Sequence, residues 1–95
     1  MATDATAEST ETQTDAQAEL EELRGQIDRM DSELIRLWKE RAAVSQRIGQ
    51  IRMANGGTRL VLNRERAILD KYGTALGADG TNIAMLILRA GRGPL

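Results

Sequence analysis

The chain has no cysteine and no histidine, one proline (Pro94), and two aromatic residues, Trp38 and Tyr72. Without cysteine there is no disulfide framework and no thiol nucleophile. With histidine also missing there is no Cys/His zinc site, no imidazole general base and no Ser-His-Asp triad. No apolar run approaches the roughly 18 residues of a membrane span. The N-terminus is polar and acidic, unlike a secretory signal or a basic transit peptide, so a cytoplasmic location is the expectation. At 41% apolar with almost no rings, the core must be aliphatic. Ninety-five residues make one domain at most.

A near-neutral balance of 13 Lys+Arg against 14 Asp+Glu conceals a split. Asp4, Glu8, Glu11, Asp15, Glu19, Glu21 and Glu22 give the first 23 residues seven acids and no base. The rest of the chain holds all 13 bases and seven acids, a charge of +6. Eleven of the 13 bases are arginine. Arginine is favoured over lysine where a planar, bidentate grip on carboxylate or phosphate matters.

Residues 1–16 carry no large apolar side chain after Met1. They cannot bury enough surface to offset ordering entropy, which predicts a disordered acidic tail ahead of a single helical domain over 17–95. From Ala18 to Ala54 the spacing predicts one long helix. Leu20, Leu23, Ile27, Met30, Leu34, Leu37, Val44, Ile48 and Ile51 form a heptad-like stripe among good helix formers. Asn55-Gly56-Gly57 stops it, with Gly56 suited to a left-handed C-terminal position. A short helix is expected over about 64–72 with Asn63 as its cap. A loop over 73–80 follows, then a third helix from Asp79 or Thr81 to about Arg89. Ile83 to Leu88 is apolar nearly all round and should be buried. Gly91, Gly93 and Pro94 should break what remains. The pattern contains no β signal and no repeat.

A helix of about 37 residues is roughly 55 Å long, whereas a compact domain of this size has a radius of gyration of only about 12 Å. Two short helices cannot cover so long a stripe. The expected fold is therefore all-α, with one long and two short helices per chain, paired with a second copy as an antiparallel homodimer sharing one core; a parallel coiled coil is the alternative, against which the two C-terminal helices argue.

The stripe has one gap, where a core slot holds Arg41. An arginine in an apolar seam is costly unless paired. Arg52 lies eleven residues on, which places it about 20° away in direction and roughly 16 Å along the axis. Ser45 and Ile48 lie between them. The pattern describes a cleft wall with a cation at each end. Structural roles are open to these residues too: Arg41 can pair with a carboxylate such as Glu65, and Arg52 can serve the helix dipole. Arg24 lies on another face and too far up the helix to join that cleft from the same chain; in an antiparallel dimer a partner's copy could reach it. Arg64-Glu65-Arg66 reads as a solvated first turn, or as a site in which Glu65 accepts a hydrogen bond from a substrate hydroxyl. Thr58 and Arg59 read as linker, and Arg89 and Arg92 as surface charges unless the tail folds back over the cleft. Several arginines and one carboxylate, without acid–base machinery, suit a unimolecular rearrangement of a dianion, which needs orientation and fixed positive charge but no nucleophile or cofactor.

Four blocks carry a resemblance. Leu23-Arg24-Gly25-Gln26-Ile27-Asp28-Arg29-Met30-Asp31 is similar to the opening of the all-helical (AroQ-type) chorismate mutases. Glu40-Arg41-Ala42-Ala43-Val44 and Ile48-Gly49-Gln50-Ile51-Arg52 resemble the family's next block. Gly56-Gly57-Thr58-Arg59-Leu60-Val61 and Arg64-Glu65 resemble the short subclass that works with a DAHP synthase. The resemblance covers roughly residues 20–93. It implies an intertwined homodimer of three-helix chains with two active sites, converting chorismate to prephenate on the route to phenylalanine and tyrosine, without cofactor or metal. It also implies DAHP synthase as an activating partner. Residue by residue, it implies that Arg24 reaches into the partner's site to bind a substrate carboxylate and that Arg41 binds the other. Arg52, where many members have lysine, would hydrogen-bond the ether oxygen. Glu65 would accept from the ring hydroxyl, Val61 would contribute backbone, and Arg64 would add positive charge. The chain departs from the family in having no glutamine on its last helix, which reads Leu88-Arg89-Ala90-Gly91-Arg92-Gly93, and in ending Pro94-Leu95.

Two other readings use the same residues. An isochorismate-pyruvate lyase would share the fold and the arginine set; the block over 56–65 favours the mutase. A non-catalytic helical dimerisation module is the other. Nucleic-acid binding is disfavoured by the acidic N-terminal segment and by the lack of aromatics to interleave with bases.

Overall fold

Two glycines with left-handed backbone divide the chain into helices: Gly56 at φ 83° and Gly77 at φ 76°. The computed structural model describes residues 2–94, with side chains from Thr12 to Pro94. It contains α1 (Ala2–Ala54), α2 (Leu62–Leu76) and α3 (Ala78–Arg92), and no strand among the described residues. The chain divides into two units, one ending at Ile35 and one beginning at Arg36.

The first unit is helix alone. Its backbone is helical from Ala2, sixteen residues before the expected start at Ala18. Alanine, glutamate and glutamine favour helix, and extending an existing helix adds one hydrogen bond per residue fixed, whereas starting one is costly. Leu20, Leu23, Ile27, Met30 and Leu34 are all exposed along it, Leu34 at 65%.

In the second unit α1 ends as the sequence predicts. The Gly57 N–H donates to the Arg52 carbonyl (2.7 Å) and the Gly56 N–H to that of Met53 (3.2 Å). This pair of bonds is the Schellman arrangement that a glycine at C′ permits. Asn55 Nδ2 adds a bond to the Ile51 carbonyl at 2.8 Å. Arg52 thus sits in the last turn, where its charge complements the helix dipole.

The second helix begins earlier and runs longer than predicted. Its N-cap is Val61, in extended conformation and without a side-chain cap bond, and Asn63 lies inside the helix rather than capping it. The Val61 carbonyl accepts the Glu65 N–H at 3.0 Å, so the first turn closes from there. The loop expected over 73–80 shrinks to Gly77, and Gly91, expected as a breaker, lies inside α3; Gly80 and Gly91 both serve close packing. A Cβ on Gly80 would collide with the Tyr72 carbonyl, so its absence lets α3 lie directly on α2. The core between them is small: Ile68, Ala84 and Leu88 are buried, with Leu69 and Tyr72 packed on them. Only one face of α3 is covered within the chain, since Ile83, Met85 and Leu86 stay exposed. Leu37, Trp38, Val44, Ile48 and Ile51 of α1 are exposed as well. Among the described residues no helix is long and apolar enough to cross a membrane.

Candidate active site

Within the second unit, all three helices and the loop before α2 enclose a cavity of about 200 Å³. From α1 come Arg41, Val44, Ser45, Ile48 and Arg52. These stand at positions 41, 44, 45, 48 and 52, the helical spacing that puts side chains on one face. Of the residues singled out from the sequence, Arg41, Arg52, Val61, Arg64 and Glu65 all line this cavity. Arg24 belongs to the other unit and is exposed there. The floor is apolar, from Ile68 and Leu88.

Two further arginines line it, Arg59 and Arg92. For Arg92 the second of its two sequence readings applies, the one in which the tail folds back over the cleft. Its Nε donates to Glu65 Oε2 at 2.5 Å, and its side chain is 19% exposed against 16% for Glu65. Its Nη1 donates to the Gly93 carbonyl at 2.8 Å, and Arg59 Nη1 makes a long bond of 3.4 Å to the Arg92 carbonyl. Glu65 therefore pairs with Arg92, not with Arg41, which leaves the half-buried Arg41 aimed at the cavity rather than neutralised by that carboxylate. The sequence offered one weak signal for Arg92, the glycines on either side of it. Gly91 packs so tightly on Ser45 that a Cβ would collide with the serine side chain. This contact turns the end of α3 toward the α1 wall of the cavity.

The arrangement is five guanidinium groups around one carboxylate, half-enclosed, with an apolar base. It suits a small ligand bearing more than one negative charge and a hydroxyl. Among the described residues no group of three or more acidic, histidine or cysteine side chains is placed to hold a metal ion.

Known proteins match this chain closely. The sequence model of the family described as chorismate mutase type II matches residues 23–86, more than half of the chain. The intracellular chorismate mutase of Mycobacterium tuberculosis (strain ATCC 25618 / H37Rv) is 52% identical over 77 residues, covering 81% of this chain and 72% of that protein. Its counterpart from Mycolicibacterium smegmatis is 48% identical over 81 residues, covering 85% of this chain and 78% of the relative. Among solved structures, a chain of the non-covalent complex of DAHP synthase and chorismate mutase from Corynebacterium glutamicum, with bound transition state analog, superposes with a TM-score of 0.81. That chain is 42% identical, with 84% of this chain and 96% of that one covered. Arg24, Arg41, Arg52, Val61, Arg64 and Glu65 all fall within the matched span and Arg92 lies beyond it. This chain belongs to the type II chorismate mutase family.

Proposed function

We propose that the chain is a chorismate mutase, rearranging chorismate to prephenate in the cytoplasm on the route to phenylalanine and tyrosine. The observation that carries this reading is the cavity itself, which Arg41, Arg52 and Glu65 line together with apolar Ile68 and Leu88. The reaction is unimolecular. It breaks a C–O bond and forms a C–C bond within one molecule, so no proton donor, nucleophile or cofactor is needed. What helps is holding the dicarboxylate in its reactive shape and stabilising the charge that grows on the ether oxygen.

Each residue takes one part. Arg41 binds one substrate carboxylate. Arg52 donates to the ether oxygen as the C–O bond lengthens. Glu65 accepts a hydrogen bond from the ring hydroxyl, Val61 contributes its backbone, and Arg64 adds positive potential. Arg24 binds the second carboxylate from the other chain of an intertwined antiparallel homodimer. The dimer is supported by the apolar stripe. Leu20, Leu23, Ile27, Met30, Leu34 and Leu37 are exposed in one chain, which is more apolar surface than a stable monomer leaves in one run. The working domain on this reading is 17–95, with 1–16 an acidic extension outside it. A DAHP synthase is the activating partner, a reading supported by the relative solved in complex with such an enzyme.

Incubating the purified chain with chorismate and identifying the product tests the reading. Prephenate is expected. Pyruvate release from isochorismate, with chorismate untouched, would replace the mutase by a lyase on the same fold.

A further inference from the structure

Glu65 is the one carboxylate among the residues lining the arginine cavity, and one of its oxygens is already occupied by Arg92. The pair is charge-assisted and short, and both side chains are more than four-fifths buried. Such a bond is about twice as strong as a neutral one, and burial shields it from salt. Arg92 is itself held. Its Nη1 is bonded to the Gly93 carbonyl, Arg59 reaches its backbone oxygen, and Gly91 keeps the end of α3 against Ser45.

A carboxylate has room for about four hydrogen bonds over its two oxygens. Glu65 Oε1 has no partner among the described residues, yet no buried side-chain oxygen there is left unpaired. Oε1 therefore keeps access to solvent while Oε2 is gripped. We infer that Arg92 is a positioning residue: by holding Oε2 it fixes the Glu65 carboxylate so that Oε1 accepts the substrate's hydroxyl. Arg92 acts through Glu65 and does not itself touch the substrate. The inference rests on the chorismate reading of the cavity. It also assigns a role to a residue beyond the span matched by the family model, on a helix end that the sequence marks only by its glycines.

The test is a double-mutant cycle in the full chain, with kcat and KM for chorismate measured on the wild type, R92A, E65Q and the double variant. R92A is expected to lower kcat at least tenfold, on the order of other lost orienting bonds, with KM changed by less than about threefold. In the E65Q background the same substitution should cost less than about threefold, because the group it positions is gone. R92K keeps the charge without the rigid fork and should fall between R92A and wild type; it carries the same cycle if R92A does not fold. An equal loss in both backgrounds, or an effect on KM alone, would mean that Arg92 serves the substrate or the fold directly, and would overturn the inference. A rise in kcat would do the same, by showing that Arg92 obstructs Glu65. A wild-type chain that leaves chorismate unchanged would overturn the proposed function, and this inference with it; turnover by the wild type separates the two failures.

Discussion

Gly91 of α3 lies against Ser45 of α1 with no space for a methyl group between them. The contact joins the helix that carries Arg41 and Arg52 to the helix that ends in Arg92. It sets how far the end of α3 reaches over the cavity. Gly91→Ala should force the two helices apart there. Overpacking of this kind costs about 1–3 kcal/mol, and the shift would carry Arg92 away from Glu65. Urea denaturation should show the lower stability, and prephenate formation should fall alongside it. An alanine variant equal to the parent in both would mean that the contact does not hold the helix end.

That glycine also shows where the sequence could be read and where it could not. The stripe of α1, its stop at Gly56 and the arginine at slot 41 were legible because each depends on spacing along one helix. So was the gathering of Arg41, Arg52, Val61, Arg64 and Glu65, which the family resemblance placed together and the cavity shares. A glycine's local effect is to loosen helix, which is why the sequence suggests a loop through Gly80 and a break at Gly91, while here their use is close approach, Gly80 to Tyr72 across the Gly77 turn and Gly91 to Ser45, a residue distant in sequence. The sequence leaves Arg92 open between a surface charge and a tail folded over the cleft, because its partner Glu65 is 27 positions away. Asn63 looked like a cap from its side chain, yet the first turn of α2 closes from the Val61 carbonyl. Local signals set the elements; packing between elements set the missing part of the site.

The proposed dimer makes a demand that a monomer cannot meet. If Arg24 acts in the partner's site, a chain carrying Arg24→Ala and a chain carrying Arg41→Ala should each be nearly inactive alone. Mixed under conditions that exchange subunits, they form hybrids in which one of the two sites carries neither lesion. Activity should then rise well above either variant, toward about a quarter of wild type for random pairing of two chains with two sites each. No recovery, with exchange shown by a tagged chain, would place Arg24 outside the site.

Removing residues 1–16 tests the proposed domain limit. The segment carries four acids, Asp4, Glu8, Glu11 and Asp15, and no base. None of the residues lining the cavity lies in it. The shortened chain should keep its fold by circular dichroism and its kcat within about twofold, since surface changes away from such features are near neutral. A lost dimer or a tenfold drop in rate would bring this segment into the working domain.

On the proposed function, fixed positive charge at the end of α1 drives the rearrangement, and Arg52 is its focus. The most direct measurement is the initial rate of prephenate formation from chorismate by the wild type and by Arg52→Ala, side by side. Removing one preorganised donor aimed at developing charge costs about 10²–10³ in kcat. Prephenate is expected from the wild type, with a loss of that size in the variant and an unchanged helical spectrum, because Arg52 is half-exposed and outside the core. Equal rates from the two proteins would contradict it.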